Sequence, residues 1–135
     1  MGQNNIGKDI REVLVADGVT TPIYIASEPN TPDAVITLYN TGGEAPNPKW
    51  LLDFTGLQAR SRANDYETAY DNLQEVYDLL LGRPAFSQNT TRYTGILASS
   101  GIMDIGRDDN ERRILVCNFR LFVEPALSTQ HRKSL

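Results

Sequence analysis

Four carboxylates, Asp104, Asp108, Asp109 and Glu111, fall within eight positions of this 135-residue chain. Hard divalent cations gather oxygen ligands from such clusters, so the group is a candidate Ca²⁺ or Mg²⁺ site. With Asp104, Asp108 and Asp109 as ligands it would be the centre of a small metal-dependent enzyme. The spacing departs from the acidic loop of an EF-hand, and Arg107, Arg112 and Arg113 stand beside the acids to neutralise them. A charge-balanced hairpin loop is therefore the expectation, with Arg107, Asp108, Asp109 and Arg112 as candidates for contact with another protein.

Other routes to catalysis find little support. The single histidine, His131, lies in a C-terminal stretch with no apolar anchor, whereas a general base must be held by packing. Gly42-Gly43 reads as a turn and matches no phosphate-binding glycine pattern. Cys117 is the only cysteine and sits in an apolar run, as a small buried hydrophobe does. One cysteine makes no intrachain disulfide and no cysteine-based metal site. We expect no catalytic residues, no cofactor and no enzyme.

Surface charge is more informative. Glu67, Asp71, Glu75 and Asp78 form an acidic stripe at helical spacing, with no lysine or arginine at the intervening i+3 or i+4 positions. Such a stripe is a solvated helix face, a subunit contact or an acidic wall facing a channel. Arg60 and Arg62 share one face of a strand and Arg120 lies on the last strand; each is solvent cover or an interface anchor. Trp50, the only tryptophan, follows a proline-rich loop and is either a packing residue or an exposed anchor.

A chain of this length suits one hydrophobic core, and 40% apolar with 22% charged residues is an ordinary globular composition. No apolar run approaches the roughly 20 residues that cross a bilayer, and the charged first 20 residues lack a secretory core. These features lead us to expect a cytoplasmic protein that meets no membrane. The net charge of −4 argues against a nucleic-acid-binding surface, although the tail carries Arg132 and Lys133.

The elements that must position these residues follow from periodicity. Ile6, Ile10, Val13 and Leu14 predict a helix over residues 5–17, capped by Asn4 or Asn5 and ended by Gly18. Short strands are expected at 23–26 and 34–39, separated by turn-forming residues 28–33. Residues 44–49 form a loop with two prolines, and a third strand runs over 50–63, bent at Gly56, with Leu57, Ala59 and Ser61 facing inward. Tyr66, Ala69, Tyr70, Leu73, Val76, Tyr77 and Leu80 mark the stripe of a second helix, with Asn64 and Glu67 at capping-box spacing and Gly82 and Pro84 as its stop. Two final strands, around Tyr93–Leu97 and over 113–125, form a hairpin through the charged residues 106–112. The order α-β-β-β-α-β-β predicts an α+β fold: a largely antiparallel four- to five-stranded sheet with two helices packed on one face. Residues 1–125 are expected to be one domain and 126–135 a flexible tail.

Three segments together resemble the tail terminator family of long-tailed bacteriophages, also known as minor capsid or tail completion proteins. They are 32–43, a strand ending in a glycine turn; Leu57 to Arg62 leading into Asp65, Tyr66 and Ala69; and Asp104 to Asp109 with Arg112, Arg113 and Asn118-Phe119-Arg120. The resemblance implies a non-enzymatic virion protein that forms a ring, commonly a hexamer, at the head-proximal end of the tail tube. It implies three partners: further copies of the chain, the tail tube protein and a head completion or connector protein. DNA would pass through the ring without specific binding, in keeping with the acidic body. A head–tail connector of the neck is the alternative. The 41–51 loop has no counterpart from which a role carries over.

Overall fold

The computed structural model describes residues 6–42, 53–89 and 91–124. The order is α1 (Ile6–Ala16), β1 (Ile23–Ile25), β2 (Val35–Gly42), β3 (Asp53–Ala63), α2 (Tyr66–Leu80), β4 (Phe86–Gln88), β5 (Thr91–Ala98), β6 (Met103–Arg107) and β7 (Arg113–Glu124). The α+β class with two helices matches expectation. The strand number does not, because the described residues form a seven-stranded sheet of order β1-β2-β3-β7-β5-β4, with β6 also paired to β7. Two strands escaped the pattern for physical reasons. β4 is three residues with no periodicity to read, and β6 lies among charged residues and is broken by a register shift between Asp104 and Gly106. β1 pairs with β2 in parallel, so the sheet is mixed, although its other pairings are antiparallel.

The sheet centres on β3 and β7, which run antiparallel in register from Asp53 opposite Val123 to Ala63 opposite Arg113. Alternation then sorts side chains onto two faces. Leu57, Ala59, Ala63, Leu115, Cys117, Phe119, Leu121 and Val123 join Ile36 and Leu38 in a dry core. Both helices supply its other wall, α1 through Ile6, Ile10 and Leu14 and α2 through Ala69, Leu73, Val76 and Leu80. Burying a side chain of this kind stabilises by about 1.5–3 kcal/mol as an upper estimate, so α2 is held by the sheet more than by its own propensity. Tyr70 and Tyr77 pack at the core margin. Tyr66, expected in the same stripe, is 46% exposed.

The helix ends follow local chemistry. Gly18 adopts φ +100°, and the Val19 N–H reaches back to the Leu14 carbonyl at 3.1 Å, closing α1. The expected caps Asn4 and Asn5 lie outside the described residues; the side chain of Asn40, from β2, accepts from the Gly7 N–H at 3.1 Å. At α2 the cap is Asp65 rather than Asn64, its carboxylate accepting from the Thr68 N–H at 3.2 Å.

The C-terminal hairpin is present, with two differences from its expected form. Its first arm is β5 and β6 laid end to end along β7, interrupted at residues 99–102, where the Ser99 and Ser100 N–H groups both donate to the Asn118 carbonyl. A register shift between Tyr93 and Gly95 also moves the two ends of β5 onto opposite faces. Tyr93 is buried toward α1, while Leu97 is 54% exposed.

Gly56, where a bend is expected, lies within a β3 that stays in register with β7 and is instead a point of close approach to β2. A Cβ there would lie 2.2 Å from Thr41 Oγ1 and 2.8 Å from the Gly42 carbonyl, where β2 shifts register against β3. Gly56→Ala should therefore displace β2 and cost about 1–3 kcal/mol, read as a lower urea midpoint. An unchanged midpoint would remove the close approach as a constraint.

Candidate functional site

The face of the sheet away from the helices carries the arginines. Arg60 and Arg62 project from β3 against residues 28–33, the turn-forming segment between β1 and β2. Arg62 is 2% exposed. Its Nε donates to the Asp33 carbonyl at 3.1 Å and its Nη2 to the Pro32 carbonyl at 2.7 Å. Arg60 pairs with Glu28, Nε to Oε2, at 3.2 Å, and Arg62 Nη1 lies 3.6 Å from the other oxygen of Glu28.

The hairpin turn closes on the same strap. Arg112 is 5% exposed. It donates through Nη1 to the Asn30 carbonyl at 2.6 Å and to Asp33 Oδ1 at 3.1 Å, through Nη2 to Asn30 Oδ1 at 2.9 Å, and through Nε to Asp108 Oδ2 at 2.8 Å. Asp108 also accepts from the backbone N–H groups of Asn110 at 3.0 Å and Arg112 at 2.9 Å. Burial pushes the Asp108 carboxyl up, but the Arg112 N–H and guanidinium and the Asn110 N–H outweigh it, and its pKa lies below the usual value. Asp33 is lowered as well, first by the Asn64 side chain and then by Arg112. A buried guanidinium that lost these acceptors would leave an unpaired charge, so both arginines are tied into the fold itself.

The remaining candidates are dispersed. Asp104 accepts from the Gly106 N–H at 2.8 Å and pairs with Arg113; the Gly106 bond comes first among the causes that lower its pKa. Arg113 also lies over the Tyr66 ring at 5.7 Å. Arg107 makes a looser pair with Glu111 at 3.4 Å, beside an open cleft of about 540 Å³ bordered by Asn64, Asp65 and Tyr66. Asp109 is exposed. Asp104 and Asp108 are thus turned to different arginines instead of toward one another. Among the described residues no group of three or more His, Cys, Asp or Glu is placed to hold a metal ion.

Glu67, Asp71, Glu75 and Asp78 are all exposed along α2. None of them has a salt bridge among the described residues; Asp78 accepts from Gln74 Nε2 at 2.7 Å. Arg120 is exposed on the helix-free face of β7. Trp50 lies outside the described residues. Sequence reasoning missed Glu28, Asn30 and Asp33 as arginine acceptors, because the turn signal that marks them names no partner so distant in sequence. It also missed buried Asp9, which accepts from the Tyr93 hydroxyl and from Asn89 Nδ2 and so ties α1 to the β4–β5 turn.

A family model described as bacteriophage tail terminator protein matches residues 2–125. The chain belongs to the bacteriophage tail terminator family. Membership makes it a structural protein of the phage tail, the role the resemblance implied. A chain from the virion of a native gene transfer agent particle superposes with a TM-score of 0.72 at 18% identity, over 88% of this chain and 94% of that one. A second solved structure gives a TM-score of 0.55 at 11% identity, over 87% and 89% of the two chains. At these identities both show a shared fold. No curated protein matches the chain.

Three outcomes follow for the family member described here. Arg112→Ala should cost about 2–3 kcal/mol by leaving Asn30, Asp33 and Asp108 without their donor, measured by urea denaturation. Because Asp33 and Asp108 have folded pKa values below the ordinary 3.8, their contribution is complete above that value and is lost as pH falls through the lower folded values. Acidification below about pH 4 should therefore destabilise the parent more than Arg112→Ala; parallel curves would remove the linkage. Millimolar Mg²⁺ or Ca²⁺ should leave the melting temperature unchanged, whereas a concentration-dependent rise would restore the metal reading of Asp104, Asp108 and Asp109.

Proposed function

We propose that this chain forms a ring at the head-proximal end of the tail tube, stops tube polymerisation there and offers the surface to which the head joins. The observation that carries the proposal is the family match across residues 2–125. The likeness to a chain of a gene transfer agent virion supports it, since that protein too is part of an assembled particle. The assembling unit is the domain of residues 1–125, with 126–135 as a tail. The partners are further copies of the chain, most simply six, then the tail tube protein and a head completion protein. Assembly takes place in the cytoplasm of the host cell, and the finished ring resides in the virion.

The geometry suits such a part. Arg60, Arg62 and Arg112 brace the strap of residues 28–33 and the hairpin tip against the sheet, so two loops distant in sequence form one stiff rim. A preorganised rim lowers the ordering cost of docking on a tube end. The net charge of −4 suits a ring that lets DNA pass without gripping it.

Light scattering coupled to size exclusion, over a concentration series with and without tail tube protein, tests this directly. A closed ring, or a monomer that closes only on tubes and holds their length constant in electron micrographs, is the expected result. A chain that leaves tube growth unaltered but binds a head connector would move the assignment to the neck. A strict monomer indifferent to both would overturn it.

A further inference from the structure

The two layers of this molecule have surfaces of opposite character. On the helix layer, α2 exposes Glu67, Asp71, Glu75 and Asp78, a stripe about 16 Å long at 1.5 Å per residue. The stripe is costly in the free chain. Its charges repel at i, i+3 and i+4 spacing, and Asp78 lies near a C-terminus where the helix dipole is already negative and no basic residue occupies the last turn. Tyr66 begins the same helix, 46% exposed and held by its stack on Tyr70 at 5.8 Å and by the Arg113 guanidinium.

On the opposite side, the strap of residues 28–33 engages only the part of the sheet that carries Arg60 and Arg62. Farther along β7 stands Arg120, paired in register with Gly56 on one side and Leu97 on the other. Gly56 has no side chain to shield it, and among the described residues no carboxylate forms a salt bridge with Arg120. Leu97 beside it is 54% exposed; farther back on the same face Met103, opposite Val116, is 43% exposed, with Ile105 at 53% in the β6 bulge. The amides of Gln58 and Asn118 bond to each other at 3.3 Å. An exposed arginine that shares a sheet face with exposed apolar side chains has the composition of an interface core. Arg92 lies on the same face in register with Glu124, and its Nη1 donates to Ser87 Oγ at 3.4 Å.

We infer that the acidic face of α2 in one copy docks on the Arg120–Leu97–Met103 face of a second copy, with Asp71 and Glu75 meeting Arg120 and Tyr66 meeting the apolar side chains. This rests on the ring proposed above and names its contact. The complementary surfaces are on opposite sides of one sheet, so a single copy cannot satisfy both by itself. A two-fold contact would set acid against acid, whereas a head-to-tail contact matches acid to arginine and repeats until it closes. The attraction offsets the repulsion along α2, and the charged rim keeps the free chain soluble while the apolar centre stays small.

Charge exchange is the test, made on the full chain with light scattering in the presence of tail tube protein. Arg120→Glu and the pair Asp71→Arg with Glu75→Arg should each weaken ring assembly by about tenfold or more. Both sites are exposed, so thermal melts should match the parent. Combining the substitutions in one chain should restore assembly, as should mixing the two variants in the first contact they share. Rings that form equally well in all variants would overturn this contact and leave the ring itself standing. Loss in both variants without recovery in the combined chain would also overturn the pairing. A parent chain that never assembles would overturn the contact and the ring together.

Discussion

The pairing of β3 with β7 is the constraint on which the other elements depend. Side chains alternate across that unbroken register, so it assigns every residue of both strands to a face in a single step. One face becomes dry and draws in both helices. The other receives Arg60, Arg62 and Arg120, which the helices could not have covered without burying unpaired charge. A slip of one residue would exchange Leu57, Ala59 and Cys117 with Gln58, Arg60 and Val116, and neither layer would then find its partner. β7 is also the strand to which β5 and β6 attach, so the hairpin inherits its register from the same pair.

The arginine face is where the fold commits charge to structure. Arg62 and Arg112 are nearly inaccessible, and burying a guanidinium is favourable only when its fixed fork is met by acceptors. Residues 28–33 supply them largely as backbone carbonyls, from Asn30, Pro32 and Asp33. Those carbonyls belong to a turn with no ladder to join, so they are free to accept from the arginines. Strap and guanidinium thus satisfy one another, and neither would be stable in its place alone. A segment that reads as irregular is bonded to the sheet through Arg62 and to the hairpin tip through Arg112.

For a tail terminator this division of labour is useful. Internal arginine clamps tie the strap and the hairpin tip to the sheet, while the charges on α2 and at Arg120 stay exposed. Arginines of one sheet face therefore divide: Arg60 and Arg62 bond within the chain that carries them, and Arg120 is exposed.

Much of this was legible in the sequence, because local patterns report what each residue needs. Both helices, the Gly18 stop, the inward set Leu57, Ala59 and Ser61, and the C-terminal hairpin follow from periodicity and turn chemistry, and the order of motifs pointed to the family. Tertiary structure alone decided the rest. The capping role of Asn40 and the burial of Arg62 and Arg112 depend on groups distant in the chain, which no local window contains. Tyr66 fits the apolar period of α2 yet stays exposed, since the core does not extend beneath the helix start. β4 and β6 are too short or too polar to announce themselves and are strands only because β5 and β7 offer them an edge. Sequence specifies which side chains want burial or charge; the packed sheet decides which of them obtain it, because partner and solvent are properties of the whole fold.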